Sequence, residues 1–417
     1  MENCRFYELF CAVFFVLVLA STARAAEPPL ITVGYTRHYG SSLEDQLTGI
    51  AHDSLGNVIV VGNRVDPSAS SYSVDGFVRK YDALGALRWD ANKVSASTDG
   101  VTTDNNGNLY IVGSYTAGSW PSERDYIYLQ SFDSTGNPLW TKQFTVPVAS
   151  DRTLLTANAI ATDPRGDNFI VILFEKAYYP YQTRQVFVRK YTVSGGLLWE
   201  KPVSSTSSPY AARPSLAIDA AGNIYVAANN VYFQQWNTHL NRLNAQGVVT
   251  WTAPFFPTSS AWLTYVHALA ADTGGNLYLT GITRDNLVGV NKGSYDVFLR
   301  KYGPDGTALW TKQFGTGSAD YGNDLTIDST GNLYVVGSSM GGLSGTSQGS
   351  YDAFVRKYST DGKLLRGRQF GTSEFDIANA IDVDDEVVYV GGNTTGNLGG
   401  AAKGRLDIYF RKYEVFQ

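Results

Sequence analysis

Four histidines, His38, His52, His239 and His267, are the imidazoles available as general bases or metal ligands. Two strings of the form GxSxG, "GSSMG" from Gly337 and "GTSQG" from Gly345, have the pattern of a serine nucleophile elbow. That elbow needs a strand–turn–helix context and, in the hydrolase order, a later histidine, yet all four histidines come earlier. Both strings therefore read as Gly/Ser-rich loop. Cys4 and Cys11 are the only cysteines, and both lie in the apolar N-terminal stretch. With that stretch removed, the chain has no thiol for a nucleophile, a metal site or a disulfide. An HExxH helix, a phosphate loop and a dinucleotide fingerprint are absent. "NTT" at Asn393 has the form of a glycosylation sequon.

Two further sets of charged residues recur. The Asp of strings such as "DSTGN" from Asp328 offers one carboxylate followed by a glycine, whereas a calcium loop needs several oxygens close in sequence. An Asp that hydrogen-bonds its own turn explains the string without a metal. Arg-Lys pairs stand at Arg79, Arg189, Arg300, Arg356 and Arg411. Alternation along a strand sends Arg and Lys to opposite faces, which splits any basic row that a nucleic acid would need. The expectation is that each Arg stacks on an aromatic ring and pairs with a carboxylate of a neighbouring unit. The net charge of −5 also argues against a polyanion. No metal, cofactor or nucleic-acid partner is expected.

These residues recur because the chain is a repeat. "DSLGNVIVVG" from Asp53 returns at Asp104, Asp163, Asp219, Asp272 and Asp328, and in shortened form as "DDEVVYVGG" from Asp384, at spacings of 51 to 59 residues. The phrase "VRKY" or its relatives follows at Val78, Tyr128, Val188, Leu240, Leu299, Val355 and Phe410. A tryptophan strand then begins at Trp89, Trp140, Trp199, Trp251 and Trp310, with Arg366 in the sixth place. The missing seventh copy is "YTRHYG" from Tyr35, at the other end of the chain. Each unit reads as four short strands, which predicts an all-β, seven-bladed β-propeller of four-stranded antiparallel blades. The N-terminal strand, about Thr32 to Tyr39, is expected to close the last blade and so remove free sheet edges. In the first strand of each unit a large aliphatic (Ile50, Val101, Ile160, Leu216, Leu269, Leu325, Ile381) alternates with small residues. That pattern fits strands converging on a central axis; Asp382 breaks it.

The DxxGN turn, the Y-V-x-G strand, the D-x-F-[VL]-x-K-Y strand and the Gly turn before Trp together resemble the bacterial β-propeller repeat family called SBBP and, more distantly, NHL repeats. The likeness covers essentially the whole chain after the N-terminal stretch and is cleanest over Ser294 to Gly371; the second, fourth and seventh units are degenerate. It implies an exported propeller and carries no defined activity. The Gly-to-Trp phrase is also similar to the docking motif of quinoprotein propellers, but the spacing is one residue shorter. The Trp residues are accordingly expected to wedge between blades.

The N-terminus has an apolar run from Leu9 to Ala20 followed by Ala23-Arg24-Ala25, the form of a secretory signal cut after Ala25. Residues 26–417 then form one propeller domain, monomeric, without a transmembrane segment, and secreted, periplasmic or attached to the cell surface. Turns between first and second strands and between third and fourth are short; the length variation lies in the other two loop sets, which share one face of the ring. That face is the expected binding face for a protein, peptide or glycan. Its candidate residues are Tyr179, Tyr181, Tyr232, Trp236, Trp262 and Tyr265 in aromatic loops, with His267, Asp320 and Asp376 on an acidic, polar rim that also holds Asp45, Asn158, Asn323 and Asn379. A non-catalytic binding scaffold is the leading reading. The alternatives are a lyase or hydrolase that uses His267 with a nearby carboxylate, and a structural component of the cell envelope.

Overall fold

Each unit is organised by the hairpin that the DxxGN string dictates. In the first copy the Gly56 N–H donates to the Asp53 carbonyl at 2.9 Å, with Gly56 at φ +71°, a conformation that a side chain disfavours. Asp53 Oδ1 accepts from the backbone N–H groups of Leu55 and Asn57 at 3.0 and 2.9 Å. The same contacts recur at Asp104 and Asp219. The repeated Asp is thus a turn former, as its spacing implied.

The computed structural model describes residues 31–66, 74–94, 96–118, 124–145, 153–163, 170–178, 183–206, 213–232, 235–255, 263–384 and 387–415. Its 28 strands sort into seven four-stranded antiparallel sheets. The first strands of the units are β2 (Glu44–His52), β6 (Gly100–Thr103), β10 (Thr153–Thr162), β14 (Ser215–Ile218), β18 (Thr264–Ala271), β22 (Asp320–Ile327) and β26 (Asp376–Val383). Each packs against the next, and β26 packs against β2, so the first strands form a closed cycle. In the last sheet β1 (Ile31–Tyr39) lies antiparallel to β28 (Asp407–Val415), with Ile31 opposite Val415 and Tyr39 opposite Ile408. The N-terminal strand closes the ring. Among the described residues no helix is long and apolar enough to cross a membrane.

The small-and-large pattern of the first strands has a direct cause. A Cβ on Gly49 would lie 3.1 Å from Val101, and one on Gly100 would lie 3.1 Å from Ile160. The large anchor of one unit therefore seats on the small residue of the unit before it. Two acids break the pattern and tie neighbours together instead. Asp324 accepts the Ile381 N–H at 2.8 Å, and Asp382 accepts the His52 N–H at 2.7 Å.

The repeated basic and aromatic phrase holds sheet to sheet. Arg79 stacks over Tyr39, Arg189 over Phe144, Arg300 over Phe255, Arg356 over Phe314 and Arg411 over Phe370, at 3.4 to 4.9 Å from guanidinium carbon to ring centroid. Each ring belongs to the preceding unit. The carboxylates differ from expectation: Arg79 pairs with Asp90 and Arg189 with Glu200, both on the adjacent strand of the same sheet. Direct cross-strand neighbours are within reach, whereas the neighbouring unit already fills the guanidinium face with an aromatic ring. The Trp residues are wedges. The indole N–H of Trp140, Trp251 and Trp310 donates to the Val193, Pro304 and Thr360 carbonyls of the next unit at 3.0 to 3.2 Å. Gly306, at φ +83°, leaves room for the Trp251 ring, which a Cβ there would meet at 3.0 Å.

Candidate functional site

In five first strands the pairing slips by one residue, between Leu47 and Gly49, Ala157 and Ala159, Val266 and Ala268, Gly322 and Asp324, and Ala378 and Ala380. Such a bulge leaves one residue outside the ladder and re-aims its side chain. The residues so released are Thr48, Asn158, His267, Asn323 and Asn379. With Asp99 and Arg213, from the segments leading into β6 and β14, they line a cavity of about 340 Å³ bounded by all seven first strands. Its lining residues sit around the middle of the longer first strands, and the long loops open at the ends where those strands begin.

Hydrogen-bond accounting fixes what these side chains present to the cavity. Asn323 Nδ2 donates to the Ala378 carbonyl at 2.8 Å, which leaves its Oδ1 as a spare acceptor. Asn393 Nδ2 donates to the Asp45 and Asp407 carbonyls, so its Oδ1 must accept from Asn379 Nδ2 at 2.7 Å, and Asn379 Oδ1 is left over. His267 Nδ1 lies 2.8 Å from the Gly322 carbonyl and must carry the hydrogen. Burial holds the His267 pKa below its ordinary value, so the ring is neutral and Nε2 is an acceptor. Asp99 is buried, which pushes its carboxyl pKa up, opposed by the Ser97 and Ser114 hydroxyls and by Arg213. Asn158 differs from all of these: it is 9% exposed, and neither its Oδ1 nor its Nδ2 has a partner.

Three expected rim residues are not on the rim. Asp320 and Asp376 are fully buried. Asp320 Oδ2 accepts the Thr316 N–H and hydroxyl at 2.6 and 3.0 Å, and Oδ1 accepts the Ser339 hydroxyl. Asp376 makes the same set with Thr372 and Thr394. Asp45 likewise is fully buried and caps Ser41. These carboxylates close the loops that feed β2, β22 and β26, and the bulge separates them from the residues that face the cavity. Tyr179, Tyr181 and Trp262 lie outside the described residues. Tyr232 ends β15 (Ile224–Tyr232) opposite Gln235, and Trp236 lies on β16 (Gln235–Leu243) opposite Val231. Tyr265 and His267 share β18, with ring centroids 6.3 Å apart.

A row of half-buried rings not anticipated from sequence runs beside the mouth. Tyr295 lies 5.5 Å from Tyr321, Tyr321 lies 5.9 Å from Tyr351, and Tyr351 lies 5.5 Å from Phe375, with the Arg284 guanidinium 4.3 Å over Tyr295. The signal for it was the "SYD" preceding two third strands and the Tyr two residues before Asn323. Asp99 and Arg213 were also missed, since they precede their short first strands.

The other tempting motifs resolve structurally. The His267 Nδ1–H is spent on a backbone carbonyl, so the pairing with a carboxylate required for an acid–base site is not formed there. Ser339 of GSSMG is fully buried against Asp320. Asn393 is 2% exposed with its amide engaged, so the sequon nitrogen is inaccessible to a glycan. Among the described residues no group of three or more His, Cys, Asp and Glu side chains gathers to hold a metal ion.

Residues 309–343 match the family model of the SBBP beta-propeller repeat. The regulatory protein FlaEY of Caulobacter vibrioides is 34% identical over 109 residues, a stretch that spans 24% of this chain and 11% of that protein. Among solved structures, a protein of unknown function from Dyadobacter fermentans superposes with a TM-score of 0.50 at 10% identity, covering 93% of this chain and 100% of the other. Sqt1 of Chaetomium thermophilum is similar at a TM-score of 0.49 and 11% identity, covering 92% and 98%. At 10% identity the likeness to the Dyadobacter protein speaks to fold alone. The chain is a β-propeller of four-stranded antiparallel blades that carries the SBBP repeat.

Proposed function

We propose that the chain is an exported binding module that takes a protein, peptide or glycan on its loop face, around the polar mouth of the central cavity, without catalysing a reaction. One observation carries this reading. The repeated Arg, Trp and turn Asp residues are consumed by contacts between and within sheets. The Asn158 amide, with both polar atoms unpaired, lies instead at the cavity, and a row of half-buried rings lies in and beside the loops that lead into the first strands. Repetition builds the scaffold; departures from it make the surface.

The test is capture on glycan and surface-protein arrays with the secreted chain. Tyr321→Ala and Tyr351→Ala are expected to weaken capture, and Leu55→Glu on the opposite turn face is expected to leave it unchanged. Capture that ignores both tyrosines, or that is lost with Leu55→Glu, overturns the reading. Export is read from the same preparation: the mature chain begins at Ala26, and material retained in the cytoplasm with Met1 intact contradicts it.

A further inference from the structure

We infer that the cavity mouth is a carbohydrate subsite that takes one sugar residue of a neutral glycan through Asp99, Asn158, Arg213, His267, Asn323 and Asn379. The inference rests on the loop-face reading above and names the ligand class for it.

The argument starts from the atoms left over. Asn323 Oδ1, Asn379 Oδ1 and His267 Nε2 are acceptors whose orientation is forced, because the other end of each group donates to an oxygen that can only accept. They come from three successive units, so one arc of the mouth presents three fixed acceptors. The opposite arc supplies donors: the Asn158 amide nitrogen and the exposed Arg213 guanidinium, beside the Asp99 carboxylate. A ligand that satisfies both arcs must donate on one side and accept on the other. Hydroxyl groups do both, and a ring bearing several of them presents donors and acceptors at fixed spacing.

Size and surroundings favour a sugar over the other candidates. A cavity of about 340 Å³ is far larger than a single ion needs and sits at the small end of the range for small-molecule sites. An ammonium group would suit the acceptor arc but would leave the Asn158 amide unpaired and face Arg213. Asn158 is the most informative residue. A buried amide with both polar atoms unpaired costs stability unless something meets it. Tyr265, stacked on His267, and the row from Tyr295 to Phe375 offer apolar faces next to the mouth on which further sugar rings can lie.

The experiment is ligand-observed NMR followed by calorimetric titration of the whole secreted chain. The probes are glucose, galactose, mannose and N-acetylglucosamine, their β-linked disaccharides, and N-acetyl-lysine amide as the amine probe. At least one sugar is expected to bind. Asn158→Ala, which removes no hydrogen bond within the protein, is expected to weaken it about tenfold without lowering the melting temperature of the free chain. Arg213→Ala gives a second, independent loss on an exposed side chain. A disaccharide that binds more tightly than its monosaccharide identifies a chain end as the source; equal affinity identifies the free sugar. Absence of sugar binding, sugar binding indifferent to both variants, or binding of the lysine amide in its place overturns the inference. Persistence of array capture in Asn158→Ala, when sugar binding fails, leaves the loop-face reading standing and removes only the sugar subsite.

Discussion

Replacing Asp382 with asparagine should lower stability by an amount that shrinks steeply as pH rises. Asp382 lies 2.7 Å from His52 Nδ1 across the joint between the last sheet and the first, with the two side chains 25% and 24% exposed. The Asp382 charge, opposed by burial and aided by Asp384 and Asp53, pushes the His52 pKa up to about 9 from 6.5. A folded-state value above the unfolded one means that the stabilisation is fully present below pH 6.5 and is lost as pH rises through 9. The gap of about 2.5 units, at 1.36 kcal/mol each, is worth about 3 kcal/mol, of which about 2.5 kcal/mol is present at pH 7 and almost none at pH 10. The amide side chain of the Asp382→Asn variant keeps an oxygen for the His52 N–H, so the packing of the joint survives the change. Asp324, which burial pushes up to about 7, lowers stability as pH rises from 4 to 7, so the comparison belongs between pH 7 and pH 10. The assay is urea unfolding of both proteins at each half pH unit. A difference between them that falls by about 2–3 kcal/mol over that window supports the pairing. A difference constant with pH refutes it.

Three other outcomes follow from the same contacts. Gly306→Ala, at φ +83° and against the Trp251 ring, should cost at least about 1–2 kcal/mol in urea unfolding, whereas Gly317→Ala, with nothing within 4 Å, should be close to neutral. Asn393→Ala should cost about 2–4 kcal/mol, because it strips partners from the Asp45 and Asp407 carbonyls and the Leu47 N–H at the ring joint. Arg411→Met should keep the apolar stem but lose the guanidinium over Phe370 and its bond to Thr36 Oγ1 at 2.8 Å, costing about 1–2 kcal/mol and exposing β1 to faster amide exchange.

The scaffold was legible because its physics is local and repeated. A glycine that must be left-handed, an Asp that must cap its own turn and an Arg that alternates with Lys each leave the same mark in most units. The pairing of the first strand with the last was legible too, since "YTRHYG" supplies a copy that the final unit lacks. The cavity was legible only in part. Asn158, His267, Asn323 and Asn379 align and do line it, but Asp320 and Asp376, on the same strands, do not. A one-residue bulge lies between them and the cavity residues, and no residue type marks a bulge in a single sequence. The carboxylate partners of Arg79 and Arg189 were misplaced for a related reason: cross-strand register sets them, and the repeat reports spacing along the chain.

The central claim is that repeats build and loops bind, and hydrogen–deuterium exchange on the chain with its captured partner tests it most directly. The account predicts slowed exchange over residues 285–295, 340–351 and 372–379, with the turns at 53–57 and 328–332 unchanged. Protection of those turns, with the loop segments unaffected, would contradict it.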